Sequence, residues 1–282
     1  MQLERQPSQK LRVGYIPYLN CVPFFHYLKQ SGFCGTIVPG VPSALNRMLQ
    51  AGEIDISPSS SFEYLLNNRD YLLLPGLSIS SWGPVESVLL FSPSPPGELH
   101  DKRIAITGES ATSINLLRVL LLEYAGLAKV DDYVPEGSVE NLIAQGQPAL
   151  LIGDRAMRQA ANLPEGICCY DLGALWYEFT GLPFVFALWI LRRASARRMS
   201  EEIAALQDQL ERSLRRAFSD LDLLAEKQGA EGAAGRSLVK YWRLIDYSLS
   251  EDHLKGLGLF ISLCRKHGLL QNEPKIEFCQ PV

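Results

Sequence analysis

Histidine is scarce, with four in 282 residues, and the six cysteines include no Cys-x-x-Cys pair. A zinc site needs closely spaced thiolates and imidazoles, so no metal centre is expected. Long apolar runs are also missing. The longest, Leu182 to Leu191, has ten residues, whereas a bilayer-spanning helix needs about 20, so no membrane partner is expected. The opening residues MQLERQPSQK contain no apolar stretch, which argues against a secretory leader and for a cytoplasmic protein. Cations are not in excess: 27 Lys and Arg against 31 Asp and Glu give a formal charge of −4. Phosphate backbones are gripped by clustered cations, so nucleic acid is not the expected partner. The densest basic group, Arg192, Arg193, Arg197 and Arg198, reads as a solvated strand-to-helix corner. No Gly-x-Gly-x-x-Gly follows a strand signal, and Thr107 to Ser113 lacks the Gly-Lys-Ser/Thr ending of a P-loop, so neither a dinucleotide nor a P-loop nucleotide is expected.

What is present is globular: 47% apolar and 21% charged residues, in a chain on the order of two domains long. Short apolar strands alternate with helical periods, the pattern of α/β units. Strands are expected at Leu11–Pro17, Gly35–Pro39, Ile54–Ser57 and Val85–Phe91, with helices at Cys21–Gln30, Pro42–Ala51 and Phe62–Asn67. Beyond the Pro-rich segment Ser92–Gly97 a second series begins: strands at Arg103–Thr107, Asp132–Val134, Ala149–Ile152, Ile167–Leu172 and Pro183–Leu191, with helices at Ala111–Ala125 and Val139–Ala144. The adjacent Cys168 and Cys169 read as part of a buried strand. From Ile203 to Leu224 one apolar stripe marks a long helix, and further helices are expected at Leu238–Tyr247 and His253–Lys266, the last with Ser250 at its start. The architecture these elements suggest is two α/β lobes joined by two crossing strands, with 11–92 plus 190–282 in one lobe and 95–185 inserted as the other. A ligand would then bind in the cleft, where strand ends and helix N-termini converge.

Four strand ends carry runs of small polar groups: Tyr18–Cys21, Ser57–Ser61, Ser78–Ser81 with Gly83–Ser87, and Thr107–Ser113. Hydroxyls and unpaired N–H groups at helix starts make an uncharged anion site. Any one such corner is also an ordinary helix cap; four directed at one cleft suggest a carboxylate ligand, with Ser81 and Thr107 among the donors. Asn20 is either a cap or an amide that donates to and accepts from a polar substrate. Asp154 is either a general base or a cap or interlobe hydrogen-bond acceptor; Glu63 and Glu109 are weaker candidates of the same kind. No histidine stands at a strand end, so a Ser-His-Asp triad has no imidazole, and Cys21 reads as a buried thiol.

The segments Gly14-Tyr-Ile-Pro-Tyr-Leu-Asn-Cys-Val-Pro23, Gly52-Glu-Ile-Asp-Ile-Ser-Pro-Ser-Ser-Ser-Phe-Glu-Tyr64, Gly83-Pro-Val-Glu-Ser-Val88, Ser110-Ala-Thr-Ser113, Leu151-Ile-Gly-Asp154 and Asp171 to Phe186, which ends in Gly-Leu-Pro-Phe-Val-Phe, lie in the order and spacing of one family. Over about residues 11 to 193 the chain resembles the chorismate dehydratases of the futalosine route to menaquinone. The resemblance implies a type II periplasmic-binding-protein-like fold in a cytoplasmic enzyme. It also implies conversion of chorismate to 3-[(1-carboxyvinyl)oxy]benzoate and water without metal or organic cofactor. The family's strand-end asparagine falls on Asn20, the serine after Gly-Pro-Val on Ser87, and the hydroxyl run of the second lobe on Ser110, Thr112 and Ser113. Ser60 and Ser61 would contribute from the other lobe, although Ser59 stands where related sequences often carry an apolar residue, so which two of the three face the ligand stays open. The C3 proton would go to the substrate's own enolpyruvyl carboxylate or to Asp154. A solute-binding protein without catalysis and the dihydroxynaphthoate-forming enzyme of the same pathway are the competing readings.

Overall fold

The computed structural model describes residues 10–230 and 232–279. Two mixed sheets organise them. The first has six strands, β1 (Arg12–Tyr15), β2 (Thr36–Pro39), β3 (Ile56–Ser60), β4 (Tyr71–Ser81), β10 (Phe184–Arg192) and β11 (Ile245–Ser248), in the order β11-β4-β10-β3-β1-β2. The second has five, β5 (Val88–Ser92), β6 (Arg103–Ile106), β7 (Asp131–Tyr133), β8 (Ala149–Ile152) and β9 (Cys168–Asp171), in the order β7-β6-β8-β5-β9. The chain crosses between them twice, from β4 to β5 and from β9 to β10, so the architecture is two α/β lobes. β10 is buried along nearly its whole length; it runs antiparallel between β3 and β4, which is why its sequence is almost continuously apolar.

Local signals explain several elements directly. The helix Pro42–Ala51 starts with Pro in its first turn and stops at Gly52, whose φ of 79° is left-handed and whose N–H returns to Met48 and Leu49 carbonyls. A Cβ at Gly52 would also lie 2.5 Å from the Arg192 guanidinium. The helix Leu172–Thr180, which periodicity did not reveal, is capped by Asp171, whose Oδ1 accepts from Gly173 and Ala174 N–H at 2.9 and 3.1 Å. Its Trp176 is fully buried against Phe184 and Phe260.

The expected long helix divides into Ser200–Ser219 and Leu221–Lys227. Asp220 leaves helical geometry (φ −154°, ψ 80°) and its Oδ1 caps Leu223 N–H at 2.9 Å, so a side-chain acceptor replaces the continuing helix. The expected helix over Leu238–Tyr247 instead ends at Leu244, and Ile245–Ser248 joins the open edge of β4. The buried-exposed alternation of those four residues fits a sheet edge. Cys168 and Cys169 lie on a strand as expected, but it is an edge strand and both are exposed. The basic corner is partly structural: Arg198 and Arg12 both pair with the fully buried Asp55, at 3.2 and 3.0 Å, and Arg193 reaches Glu277 at 3.0 Å. Capping by Ser250 is present as a box with His253.

Candidate active site

Between the two lobes lies a cavity of about 80 Å³. Asn20, Cys21, Ser60, Phe186 and Ile79 line it from the first lobe, and Glu109, Ser110, Ser113, Ile152 and Gly153 from the second, with Ser87 on the connection between β4 and β5. Larger hollows of about 530 and 600 Å³ lie against the Ser200–Ser219 helix and beside β11, and no sequence-predicted site residue lines either. Ligand pockets for small molecules usually enclose roughly 300 Å³ or more, so the lobes stand closed on each other and must part to admit a substrate.

The lining holds no lysine, arginine or histidine. Its donors are instead hydroxyls, one amide and three helix starts: Ser60 precedes Ser61–Asn67, Ser110 precedes Ala111–Val119, and Ile152 precedes Gly153–Ala161. The first N–H groups of a helix have no intrahelical acceptor and carry the positive end of its dipole. Ile79, Val85, Val88, Ile152 and Phe186 complete the lining as an apolar slot between these donors.

Of the residues expected from sequence, Asn20, Ser60, Ser87, Ser110 and Ser113 line this cavity. Ser110 Oγ accepts from Ser113 N–H at 3.3 Å and lies 3.2 Å from its hydroxyl, so the two act as one capped unit. Asn20 sits on a short 3-10 turn, Leu19–Cys21. Its backbone carbonyl accepts from Tyr247 Oη at 3.0 Å, while its side-chain Oδ1 is buried with no protein partner.

Five others lie outside the lining. Ser81 is the last residue of β4, paired to β10 and β11, and its hydroxyl donates to Gly83 O at 2.8 Å; Ser78–Ser81 is therefore strand interior and not a strand-to-helix corner. Ser61 donates to Val185 O at 2.8 Å. Thr112 is wholly buried and bridges the lobes: its Oγ1 accepts from Phe62 N–H at 2.9 Å and lies 2.9 and 3.1 Å from the hydroxyls of Ser60 and Ser61. Thr107 is buried just beyond β6, its hydroxyl without a protein partner. Asp154 accepts from Leu19 N–H at 3.4 Å across the lobes, the interlobe role set beside catalysis above. Burial raises its carboxyl pKa, against the smaller opposing effect of that N–H. Ser59 is buried on β3, and Glu63 is engaged with Asn46, Gln50 and Asn67.

Glu109, a weak candidate from sequence, does reach the cavity. It accepts from Tyr18 Oη at 3.0 Å and pairs with Arg155 at 3.2 Å, and Arg155 holds Glu140 in a two-bond pair whose carboxyl is drawn down to about 2. Burial and the neighbouring Glu109 push the Tyr18 phenol up. Burial and the charge of Asp154 push the Cys21 thiol up to about 12, which removes it as a nucleophile. Among the described residues no group of three or more His, Cys, Asp or Glu could hold a metal ion, and no helix is long and apolar enough to cross a membrane.

A family model described as menaquinone biosynthesis matches residues 11–266. The chain belongs to this menaquinone biosynthesis family. Within reach of the family, a curated relative named chorismate dehydratase, from Thermus thermophilus, is 35% identical over 264 residues, covering 88% of this chain and 93% of the relative. Two solved structures share the fold. One is the alkanesulfonate-binding protein SsuA of Xanthomonas axonopodis pv. citri, at TM-score 0.69 and 19% identity, covering 95% of this chain and 96% of that one. The other is a protein from Archaeoglobus fulgidus at TM-score 0.65 and 20% identity, covering 94% and 100%. The family member described here thus has a periplasmic-binding-protein-like fold, with its cavity at the lobe junction.

Two aromatic residues of the C-terminal segment, Tyr241 and Trp242, bond to groups at the edge of the cavity. Tyr241 Oη reaches Ser87 Oγ at 3.1 Å, and Trp242 Nε1 donates to Leu19 O at 2.7 Å. These side chains are indeed buried. Nothing in the local sequence marks a buried aromatic whose polar tip meets a residue more than 150 positions away.

Proposed function

We propose that the chain is a chorismate dehydratase, a hydro-lyase that removes water from chorismate to give 3-[(1-carboxyvinyl)oxy]benzoate in menaquinone biosynthesis, acting in the cytoplasm. The observation that carries this reading is a lobe-junction cavity with hydroxyl, amide and helix-start donors and no cation, in a member of this family. Chorismate brings two carboxylates and a ring. Uncharged donors at helix starts suit the first, and the apolar slot suits the second. Loss of the C3 proton and the C4 hydroxyl makes the ring aromatic, so the reaction has its own driving force. The protein then has to orient the ring, exclude water and stabilise the departing oxygen.

Asn20 and Ser87 are the groups we assign to the reacting edge of the ring, and Ser110 and Ser113 to a carboxylate. The base we assign is the substrate's enolpyruvyl carboxylate, because Asp154 is outside the lining and already accepts from Leu19 N–H. Asp154→Asn should therefore keep kcat within about tenfold of wild type. A ten-thousandfold loss, with folding and chorismate binding intact, would move the base to Asp154.

Closure is expected to depend on Thr112. Thr112→Val strands the Phe62 N–H and takes away the partner of the Ser60 hydroxyl at the lobe contact, while Ser61 keeps its bond to Val185 O, a loss of about 1–2 kcal/mol in the closed state. The expected result is a chorismate KM raised on the order of tenfold, with a smaller change in kcat, read by steady-state kinetics. The decisive assay for the reading as a whole is incubation of purified protein with chorismate. New aromatic absorbance and a product lighter by one water support it; binding without product makes the chain a solute-binding protein.

A further inference from the structure

Ser87 is held more tightly than a cavity hydroxyl needs to be. It follows Glu86, whose φ of 56° is left-handed, a conformation a glutamate adopts only when its surroundings enforce it. Here the enforcing group is Asp171: its Oδ2 accepts from Val85 N–H at 3.0 Å and Glu86 N–H at 2.7 Å. The Ser87 carbonyl in turn accepts from Gly153 N–H at 2.7 Å. The backbone is thus fixed from the second lobe before the side chain is considered.

From the first lobe comes Tyr241, whose hydroxyl stands 3.1 Å from Ser87 Oγ. Tyr241 is 1% exposed. Its phenol must place a proton somewhere, and Ser87 Oγ is its hydrogen-bond partner. Were Ser87 to donate instead, the phenol proton would be buried without an acceptor, at the full desolvation cost of that group. The direction is therefore Tyr241 to Ser87. Burial raises the phenol's pKa, so the proton stays on it through the neutral range.

We propose that Tyr241 is a positioning residue that commits the Ser87 hydroxyl to donating into the cavity, onto the oxygen that leaves the ring. The inference rests on the dehydratase reading above. As the C3–H bond breaks and its electrons form the new ring double bond, the C4–O bond breaks and negative charge gathers on the departing oxygen. Ser87 O–H stabilises that charge by a hydrogen bond that Tyr241 strengthens through the same chain. The proton taken from C3 is returned to the departing oxygen, which leaves as water, and no further reactant is needed. Tyr247 offers an internal contrast, since its hydroxyl holds the Asn20 backbone carbonyl and touches no reacting side chain.

The test is a double-mutant cycle on chorismate turnover. Ser87→Ala is expected to lower kcat about a hundredfold and Tyr241→Phe about tenfold with KM little changed. The double variant should be no slower than Ser87→Ala alone, because Tyr241 acts only through that hydroxyl. A Tyr241→Phe enzyme with wild-type kcat, or losses that multiply in the double variant, overturns the proposal. A purely structural role would instead lower Tm and multiply with any other lesion. Should Tyr241→Phe fail to fold, 3-fluorotyrosine at position 241 keeps the ring and strengthens the donor; it is expected to raise kcat, and an unchanged or lower kcat overturns the proposal. Wild-type protein that makes no product from chorismate would defeat the dehydratase reading itself, whereas turnover indifferent to Tyr241 defeats only this inference.

Discussion

Asn20→Ala is expected to lower kcat on chorismate by about 10²–10³-fold, the loss seen when one preorganised donor to a developing charge is removed, without lowering Tm. The first half concerns the amide N–H donors of Asn20, the second its side-chain oxygen. Asn20 Oδ1 is buried and has no partner within the protein, although its backbone carbonyl is held by Tyr247. An unpaired buried acceptor destabilises the fold it sits in, so its removal leaves stability unchanged or improves it. Asn20→Asp sharpens the point. It keeps the shape and adds a negative charge to a cavity that Glu109 already lines and no cation does, so binding of a dianion should weaken as well as turnover. Steady-state kinetics with thermal melts on the same preparations check both halves; a kcat within tenfold of wild type for Asn20→Ala would remove it from the reacting edge.

The largest effect on stability is expected far from the cavity. Asp55 is fully buried at the end of the loop entering β3 and accepts from the Arg12 backbone N–H, Nε and Nη2, each at 3.0 Å, from Ser195 at 2.7 Å and from Arg198 at 3.2 Å. Burial pushes its carboxyl up, but the hydrogen bonds from Arg12 and Ser195 outweigh it and leave the folded pKa below the ordinary value. Asp55→Ala takes the shared acceptor from two guanidiniums, a hydroxyl and a backbone N–H, at a cost of roughly 3–5 kcal/mol. For a chain of this size that corresponds to a Tm lower by on the order of 10 °C. A folded pKa below the unfolded one means the stabilisation is complete above the unfolded value near 4 and is lost as pH falls through the folded value. The stability gap between wild type and Asp55→Ala should accordingly be widest near neutral pH and narrow on acidification. A gap that is constant from pH 7 to pH 3 would show that the carboxylate's charge contributes nothing.

Both residues were visible in the sequence, but only Asn20 drew attention there. Asn20 stands at a strand end among apolar neighbours, where a polar amide is conspicuous. Asp55 stands between isoleucines in an ordinary strand pattern, and its partners Arg12, Ser195 and Arg198 come from segments up to 143 residues away. Distance along the chain, not chemistry, hid it.

The sequence by itself determined the fold class, the family and those elements whose signals are local. The helix Pro42–Ala51 and the strand Ala149–Ile152 occur with the expected limits, because a Pro, a left-handed Gly or a short apolar run acts on its immediate neighbours. The tertiary structure alone decided which hydroxyls face the cavity. Thr112 and Ser110 are two residues apart in the same polar run, yet Ser110 lines the cavity while Thr112 is spent on Ser60, Ser61 and Phe62 across the lobes. Ser81 is a strand residue because β11, expected as helix, completes the sheet beside it. Where a polar side chain finds its partner depends on the packing of segments distant in sequence, and most buried polar groups find one, whereas Asn20 Oδ1 and the Thr107 hydroxyl have none within the protein.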